Sequence, residues 1–255
     1  MKTLVTVDFD FFVKEKPEWD LGHQESLLYL EFMWATRGHL IDQMKTDGNE
    51  KVFWDFLRKQ APFVQGPLFV SDSHCMAYSL LKRILKPRGV SRVVLFDAHH
   101  DCWKGEKGQV MCHNWLREWL RGSAKREAVW VVPEWRDRED CVIPDDMQSR
   151  VEVVGFRKGL ELGLKAPVAV HTCRSGCWVP PWLDGSFKGF LEGFEGCLEG
   201  VVGLQHGQWD PLRVRWTEKE MEAAREMDRQ VKSTMKVGSI RASEWVDCKT
   251  EVAIK

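Results

Sequence analysis

Residues 97–101 carry the densest group of potential metal ligands in the chain. The segment is Asp97-Ala-His99-His100-Asp101, and it directly follows the apolar run of residues 93–96. An apolar run without polar alternation predicts a strand buried on both faces, and open α/β sheets place their sites beyond the carboxyl ends of such strands. In an extended segment Asp97, His99 and Asp101 would face one point. Carboxylate and imidazole together suit a divalent ion of the Mn, Zn or Fe type; a helix N-cap with nearby histidines is the alternative, but it does not require this spacing.

Two further groups of polar residues lie where other predicted strands end. Asp8 and Asp10 occur at the end of a strand predicted over residues 3–12, and His74 follows a strand predicted over residues 66–71. Buried acids are costly unless a cation compensates them, although solvated acids at a strand end and an ordinary loop histidine are the alternatives. The three strand ends together offer four carboxylates and two imidazoles. This charge matches two divalent cations better than one.

The remaining elements follow from the spacing of apolar residues. Helices are predicted over residues 26–44, 49–60, 76–85, 113–120, 188–199 and 217–231. Further strands are predicted over residues 128–132, 151–154 and 168–172. Thr217 and Glu220 have the spacing of a capping box at the start of the last helix. The alternation of strands and helices predicts a single α/β domain over residues 1–255, with a mostly parallel sheet and helices on both faces.

Composition excludes several classes of protein. Charged residues make up 29% of the chain, hydrophobic residues 44%, and the formal net charge is −1, so no broad attraction to nucleic acid is expected. No apolar run has the length of a membrane span, and no signal peptide is recognised at the start of the sequence. We therefore expect a cytoplasmic protein without a nucleic-acid or membrane partner. Cys173 and Cys177 are the closest pair of the eight cysteines, and thiols are favoured there over a disulfide or a zinc site.

These motifs resemble those of a known superfamily. The Asp-Ala-His-His-Asp segment resembles the Asp-x-His-x-Asp motif of arginases, agmatinases and histone deacetylases, and Asp8-Phe-Asp10 resembles their second motif, Asp-x-Asp. His74 is similar to the histidine ligand at the end of an earlier strand in that superfamily. The resemblance implies an α/β three-layer sandwich. Ordinary arginases have the Asp-x-Asp strand late in the chain, whereas here it comes first; family sheets place the two motif strands side by side, so the permuted order can preserve the site.

The segments around these motifs look most like peptide arginases. The similar segments are residues 8–12, residues 19–25 and the later His113-Asn-Trp115. The motifs cover most of residues 3–115 and the loop 174–182. Peptide arginases convert arginine residues of ribosomally synthesised precursor peptides to ornithine and release urea. The resemblance therefore implies an arginine-containing precursor peptide as the partner and two Mn²⁺ ions as cofactors.

The resemblance also implies a role for each ligand. Asp8 and Asp97 would bridge the two ions, one ion would be completed by His74 and Asp101, and the other by Asp10 and His99. His100 would point away from the ions as a supporting or core residue. Two ions of this kind activate water for attack on the guanidinium carbon.

Three further residues complete the expected site. His113 is expected to carry protons, because an imidazole titrates near neutral pH and because arginases have a histidine at a similar distance after the Asp-x-His-x-Asp motif. Asp20 and Glu25 are the carboxylates expected to hold the guanidinium group, with solvated surface acids as the alternative. Tryptophans are expected to rim the site and to contact a peptide or an arginine stem, or else to lie in the core; they are Trp19, Trp103, Trp115, Trp178 and Trp182.

Four other functions remain open at this point. An arginase or agmatinase acting on a free guanidino compound would use the same metal centre. A deacetylase of this fold would bind a single zinc ion and would usually lack the carboxylate at the position of Asp101. A helical His-Asp phosphohydrolase is disfavoured by the apolar strand before residues 97–101, and a non-catalytic binding protein is disfavoured by the complete set of six ligands.

Overall fold

The computed structural model describes residues 2–15, 27–59, 66–106, 108–164, 167–194, 200–204 and 216–237. Its strands form one seven-stranded sheet in which every pairing is parallel, in the order β5-β4-β3-β1-β6-β2-β7. The strands are β1 (Lys2–Asp8), β2 (Leu68–Ser71), β3 (Val90–Phe96), β4 (Glu127–Val132), β5 (Val151–Gly155), β6 (Pro167–Cys173) and β7 (Val201–Leu204). The predicted α/β class and parallel sheet are confirmed. β7 was not predicted; it is a four-residue edge strand interrupted by Gly203, and it is shorter than a typical strand.

Helices cover both faces of the sheet. They are α1 (Leu27–Ala35), α2 (Glu50–Lys59), α3 (Met76–Ser79), α4 (Trp115–Arg121), α5 (Phe156–Leu160), α6 (Asp184–Glu192) and α7 (Glu218–Val237). Alternate residues of β1 belong to different cores: Val5 and Val7 pack with α2 and α6, whereas Leu4 packs in a second core with α3 and α4. The sheet therefore has a hydrophobic core on each face, which confirms the expected three layers.

Several predicted boundaries are wrong for local reasons. β1 ends at Asp8, because residues Phe9–Phe12 turn into a 3-10 helix. The helix predicted over residues 26–44 ends at Ala35, after which the chain turns through Gly38–Leu40, where Gly38 approaches the α7 backbone too closely for a side chain. The helix predicted over residues 188–199 is α6, which begins four residues earlier. α7 continues beyond the predicted residue 231, and its capping box is present, with the Thr217 amide donating to Glu220 Oε2 at 2.9 Å.

No helix among the described residues is long and apolar enough to cross a membrane.

Candidate metal centre and its cavity

The predicted ligands lie together at the carboxyl ends of the central strands. Asp8 ends β1, Asp97 follows β3, and His74 follows β2 by three residues. β1 and β3 are neighbours in the sheet, with Val7 paired to Phe96, so the expected adjacency of the two motif strands is confirmed. Although β1 and β3 are separated by β2 in the sequence, the two motif strands lie side by side in the sheet.

The backbone that carries these ligands is turned rather than extended. The Asp97 carboxylate accepts a hydrogen bond from the His99 amide at 2.7 Å, and the Asp8 carboxylate accepts one from the Asp10 amide at 3.3 Å. Bonds from an aspartate to the amide two residues later are typical of Asx turns. The expectation that extended backbone aligns alternate residues is therefore wrong. The hydrogen bond between each aspartate and the amide two residues later turns the backbone, and this turn brings the ligand side chains together.

The first ligand group surrounds the imidazole of His74. Its Nδ1 lies 2.9 Å from Asp97 Oδ2, 3.1 Å from Asp101 Oδ2 and 3.4 Å from Asp8 Oδ2. All four side chains are buried. Asp8, His74 and Asp97 each offer an atom close enough to the others to share one metal ion.

The second ligand group surrounds His99. Its Nδ1 lies 3.0 Å from Asp10 Oδ2 and 3.7 Å from Asp97 Oδ1, and these three residues also suit one ion. The two oxygens of Asp97 thus face different histidines, which is the arrangement a bridging carboxylate requires. Asp8 lies with the His74 group, and its bridging role stays a prediction.

Helix α4 holds Asp101 in place. The Trp115 indole N–H donates to Asp101 Oδ2, and the Asp101 carbonyl accepts from the amides of Leu116 at 3.2 Å and Arg117 at 3.3 Å. Asp101 has φ = 49°, in the left-handed region that few residues other than glycine adopt. The first turn of α4 therefore stabilises a backbone conformation that turns the carboxylate toward His74.

The ligands carry strongly perturbed pKa values. Burial raises the pKa of Asp8, Asp10 and Asp101 to about 7, and the neighbouring carboxylates add to the rise. Burial also acts to raise the pKa of Asp97, but the two adjoining imidazoles outweigh it and lower that pKa below its ordinary value. Burial opposes charge on those imidazoles, yet the carboxylates around them raise the pKa of both well above the ordinary value.

The donor set fits divalent cations. Nδ1 of His74 and Oδ2 of Asp97 are buried 2.9 Å apart, yet neither has a hydrogen-bond partner among the described residues. Unpaired buried polar atoms are costly, and four carboxylates in one buried cluster repel each other. A cation between these atoms would relieve both costs. Carboxylate oxygens with imidazole nitrogens are the mixed donors that Mn²⁺ and related ions accept.

A cavity of about 530 Å³ opens over the ligands. Residues from both ligand groups line it, together with side chains from the loops that follow β3, β4 and β6. The loop residues include His100, Trp103, Cys112, His113, Arg136, Asp140, Val142, Ser175, Cys177 and Trp178. His113 is exposed at the cavity wall, where a proton carrier is expected. His100 accepts a hydrogen bond from the Cys102 amide at 2.9 Å; it is buried and also lines the cavity, and its orientation away from the ions stays a prediction.

The loop after β6 is fixed by a buried cation. Arg174 is fully buried and forms ion pairs with Asp72 at 2.5 Å and with Asp184 at 2.8 Å. The next residue, Ser175, has φ = 55°, and the rings of Trp178 and His99 are in contact, with centroids 4.4 Å apart and planes tilted by 35°. The two ion pairs thus hold the turn that brings an indole over a predicted metal ligand. Both Cys173 and Cys177 in this region are thiols, as expected.

Only part of the predicted tryptophan rim surrounds the cavity. Trp103 and Trp178 line it, as predicted. Trp115 is fully buried and bonds Asp101 from within the core, and Trp182 packs against Trp34, so their predicted place on the rim is wrong. Trp19 and the two predicted guanidinium ligands, Asp20 and Glu25, lie outside the described residues.

Two polar residues near the centre were missed from the sequence. Glu15 follows the first ligand strand; its Oε1 is buried without a hydrogen-bond partner among the described residues, and burial raises its pKa to about 7 despite His99 and Arg136 nearby. Arg136 lines the cavity and donates to the carbonyl of Ala98 at 2.5 Å, between two ligands. Both occur in polar loop segments, and nothing in the local pattern distinguishes them from solvated charges.

Comparisons with known proteins leave the family of the chain open. No protein-family model and no curated protein matches it. Among solved structures, it aligns with the crystal structure of a hypothetical agmatinase from Burkholderia thailandensis at 15% sequence identity and a TM-score of 0.33. The alignment covers 74% of this chain and 66% of that one, so the chain spans just under two thirds of that protein's length. A likeness this slight carries no argument about function, which rests on the site.

Proposed function

We propose that the protein is a hydrolase that uses two Mn²⁺ ions to cleave the guanidinium group of arginine residues in a precursor peptide. The products would be ornithine, which stays in the peptide, and urea. The observation that carries this proposal is the pair of ligand groups that share Asp97 beneath an open cavity. When bound, two such ions supply the Lewis acidity that activates water at neutral pH.

His113 on the cavity wall and carboxylates of the segment after β1 are candidates for the other groups that the reaction needs. His113 would give a proton to the departing amine, since it lines the same cavity as the ligands and imidazoles titrate near neutral pH. A carboxylate must hold the guanidinium group. Besides Asp20 and Glu25, Glu15 is a candidate, because its buried Oε1 lacks a hydrogen-bond partner among the described residues.

The cavity mouth supports a peptide as the substrate. Trp103 and Val142 line it and are 57% and 64% exposed. Apolar side chains left exposed at a cavity often mark a binding surface, and an indole suits the stem of an arginine or a neighbouring side chain. A free amino acid would leave most of this rim in contact with water.

One observation favours a free guanidino acid instead. Arg136 lines the cavity, and its Nε has no hydrogen-bond partner among the described residues. An arginine in this position suits the α-carboxylate of free arginine. An arginine within a peptide has no such carboxylate, so the two substrates are distinguishable by assay.

The test is a comparison of urea release in the presence of Mn²⁺. The substrates are free arginine, agmatine, and a peptide with one internal arginine whose two ends are blocked. We expect the blocked peptide to be hydrolysed fastest. Faster hydrolysis of free arginine would refute the peptide proposal, and its loss in Arg136→Met would identify the carboxylate contact. Purified protein that holds about one zinc and no manganese would contradict the two-ion centre itself.

A further inference from the structure

A buried chain of hydrogen bonds lies behind the first metal ligand. Ser71 Oγ is 2.9 Å from the backbone oxygen of Ser73 and 2.9 Å from His171 Nε2. His171 Nδ1 is 2.9 Å from Thr6 Oγ1, which in turn is 2.9 Å from Nε2 of His74. The four linked side chains are each 1% exposed or less. Thr6 and His171 are register partners on the adjacent strands β1 and β6.

The direction of every hydrogen bond in this chain can be deduced from the first bond, between Ser71 and Ser73. A carbonyl oxygen only accepts, so the hydroxyl proton of Ser71 must point to Ser73. Ser71 Oγ then accepts from His171 Nε2, which must carry a proton. A neutral imidazole has one N–H, so His171 Nδ1 accepts the proton of Thr6. Thr6 Oγ1 is left to accept from His74, whose Nε2 must therefore be protonated.

This reasoning needs a neutral His171, and its surroundings provide one. The ring is fully buried, faces the hydroxyls of Thr6 and Ser71, and stacks on His74 at 5.8 Å. No carboxylate among the described residues forms an ion pair with it. A charged ring in this place would be buried without a counter-charge, which is costly.

We infer that Ser71, His171 and Thr6 keep a proton on Nε2 of His74 and thereby reserve its Nδ1 for a metal ion. Nδ1 is the atom that faces the three carboxylates, and it has no hydrogen-bond partner among the described residues. The inference rests on the proposed metal centre. It makes Thr6 and His171 positioning residues, because they act through His74 and lie outside the cavity lining.

The expected effect is confined to one ion. Loss of a group that orients a metal-bound histidine typically lowers metal affinity about 10–100-fold. Thr6→Val removes the hydroxyl and nearly preserves the shape of the side chain. The ion held by His74 should therefore bind about 10–100-fold more weakly, whereas the ion held by His99 should keep its affinity.

The chain offers a matched control in Thr172→Val. Thr172 is buried on β6, is paired with Val7, and its hydroxyl has no hydrogen-bond partner among the described residues. We expect Mn²⁺ titrations of this variant to match the wild type. Thr6→Ser keeps the hydroxyl and should restore both affinities, which separates a role in orienting His74 from a general role in packing.

A second measurement needs no metal. Above the pH at which His74 becomes neutral, nitrogen-15 NMR of the metal-free protein should show the one remaining ring proton of His74 on Nε2, and Thr6→Val should let that proton distribute between the two ring nitrogens. The inference is overturned if Thr6→Val binds both ions as the wild type does, or if wild-type His74 lacks the Nε2 proton. A wild-type protein that binds no Mn²⁺ would instead refute the proposed metal centre, while the NMR result would still test the hydrogen-bond chain.

Discussion

Replacement of Asp97 by alanine should abolish binding of both ions, because its two carboxylate oxygens face different ligand groups. Oδ2 lies 2.9 Å from Nδ1 of His74, and Oδ1 lies 3.7 Å from Nδ1 of His99. Asp10 belongs to the His99 group alone. Asp10→Ala should therefore weaken one ion and leave the other, so that the two variants differ in the number of ions lost.

The size of the effect on stability follows from linkage. An ion at 100 times its dissociation constant stabilises the native state by about 2.7 kcal/mol, which raises the Tm of a domain of this size by about 5–10 °C per ion. Two ions should give about twice that rise in the wild type. We expect about half of the rise in Asp10→Ala and none in Asp97→Ala.

The assay is thermal unfolding with and without Mn²⁺, paired with elemental analysis after dialysis. The rise in Tm is the relevant quantity, since loss of Asp97 also changes the metal-free protein by removing repulsion from its neighbouring acids. Glu161→Ala, a change at an exposed acid outside the cavity, serves as the control. If Asp97→Ala still holds one ion tightly, then Asp97 is not shared and the proposed arrangement is wrong.

Two further predictions concern the residues around the ions. His113→Ala should keep the full metal content and lose most of its turnover, measured as urea release, and loss of metal in that variant would show that His113 is a ligand rather than a proton carrier. Trp115→Phe removes the hydrogen bond to Asp101, whereas Trp119→Phe makes the same change at an equally buried position on α4. By chemical denaturation at a pH above 7, where the Asp101 carboxylate is charged, Trp115→Phe should cost about 1.5–3 kcal/mol more than Trp119→Phe, the usual contribution of a hydrogen bond to a charged group. Equal costs would show that the bond contributes nothing.

The metal-ligand residues could be predicted where a polar group directly follows an apolar run in the sequence. Asp8, Asp97 and His74 each follow an apolar strand, and parallel strands bring their carboxyl ends to one edge. Thr6 and His171 were not predictable as supporting residues, because each lies within an otherwise apolar strand and its role depends on pairing across more than 150 residues of sequence.

The turns at the ligands were also missed from the sequence. Ligands separated by one residue are expected both from an extended strand and from an Asx turn. The spacing in the sequence therefore does not distinguish the two conformations. Trp115 shows the same limit: it lies next to a predicted ligand, but its side chain is buried in the core, where it bonds Asp101, and not on the predicted rim. The direction of a side chain depends on tertiary packing, which spacing alone does not determine.

The central position of β1 affects how the chain can fold. Its Val7 pairs with Phe96 on one side and with Thr172 on the other. Both edges of this apolar strand therefore stay unpaired during synthesis until β3 and then β6 have emerged. Pairings this distant in sequence slow folding, because a long loop must close before they form. A strand that stays unpaired for so long is prone to aggregate. A chain that stops before β6 would contain all six predicted metal ligands but would leave one edge of the strand that holds Asp8 unpaired.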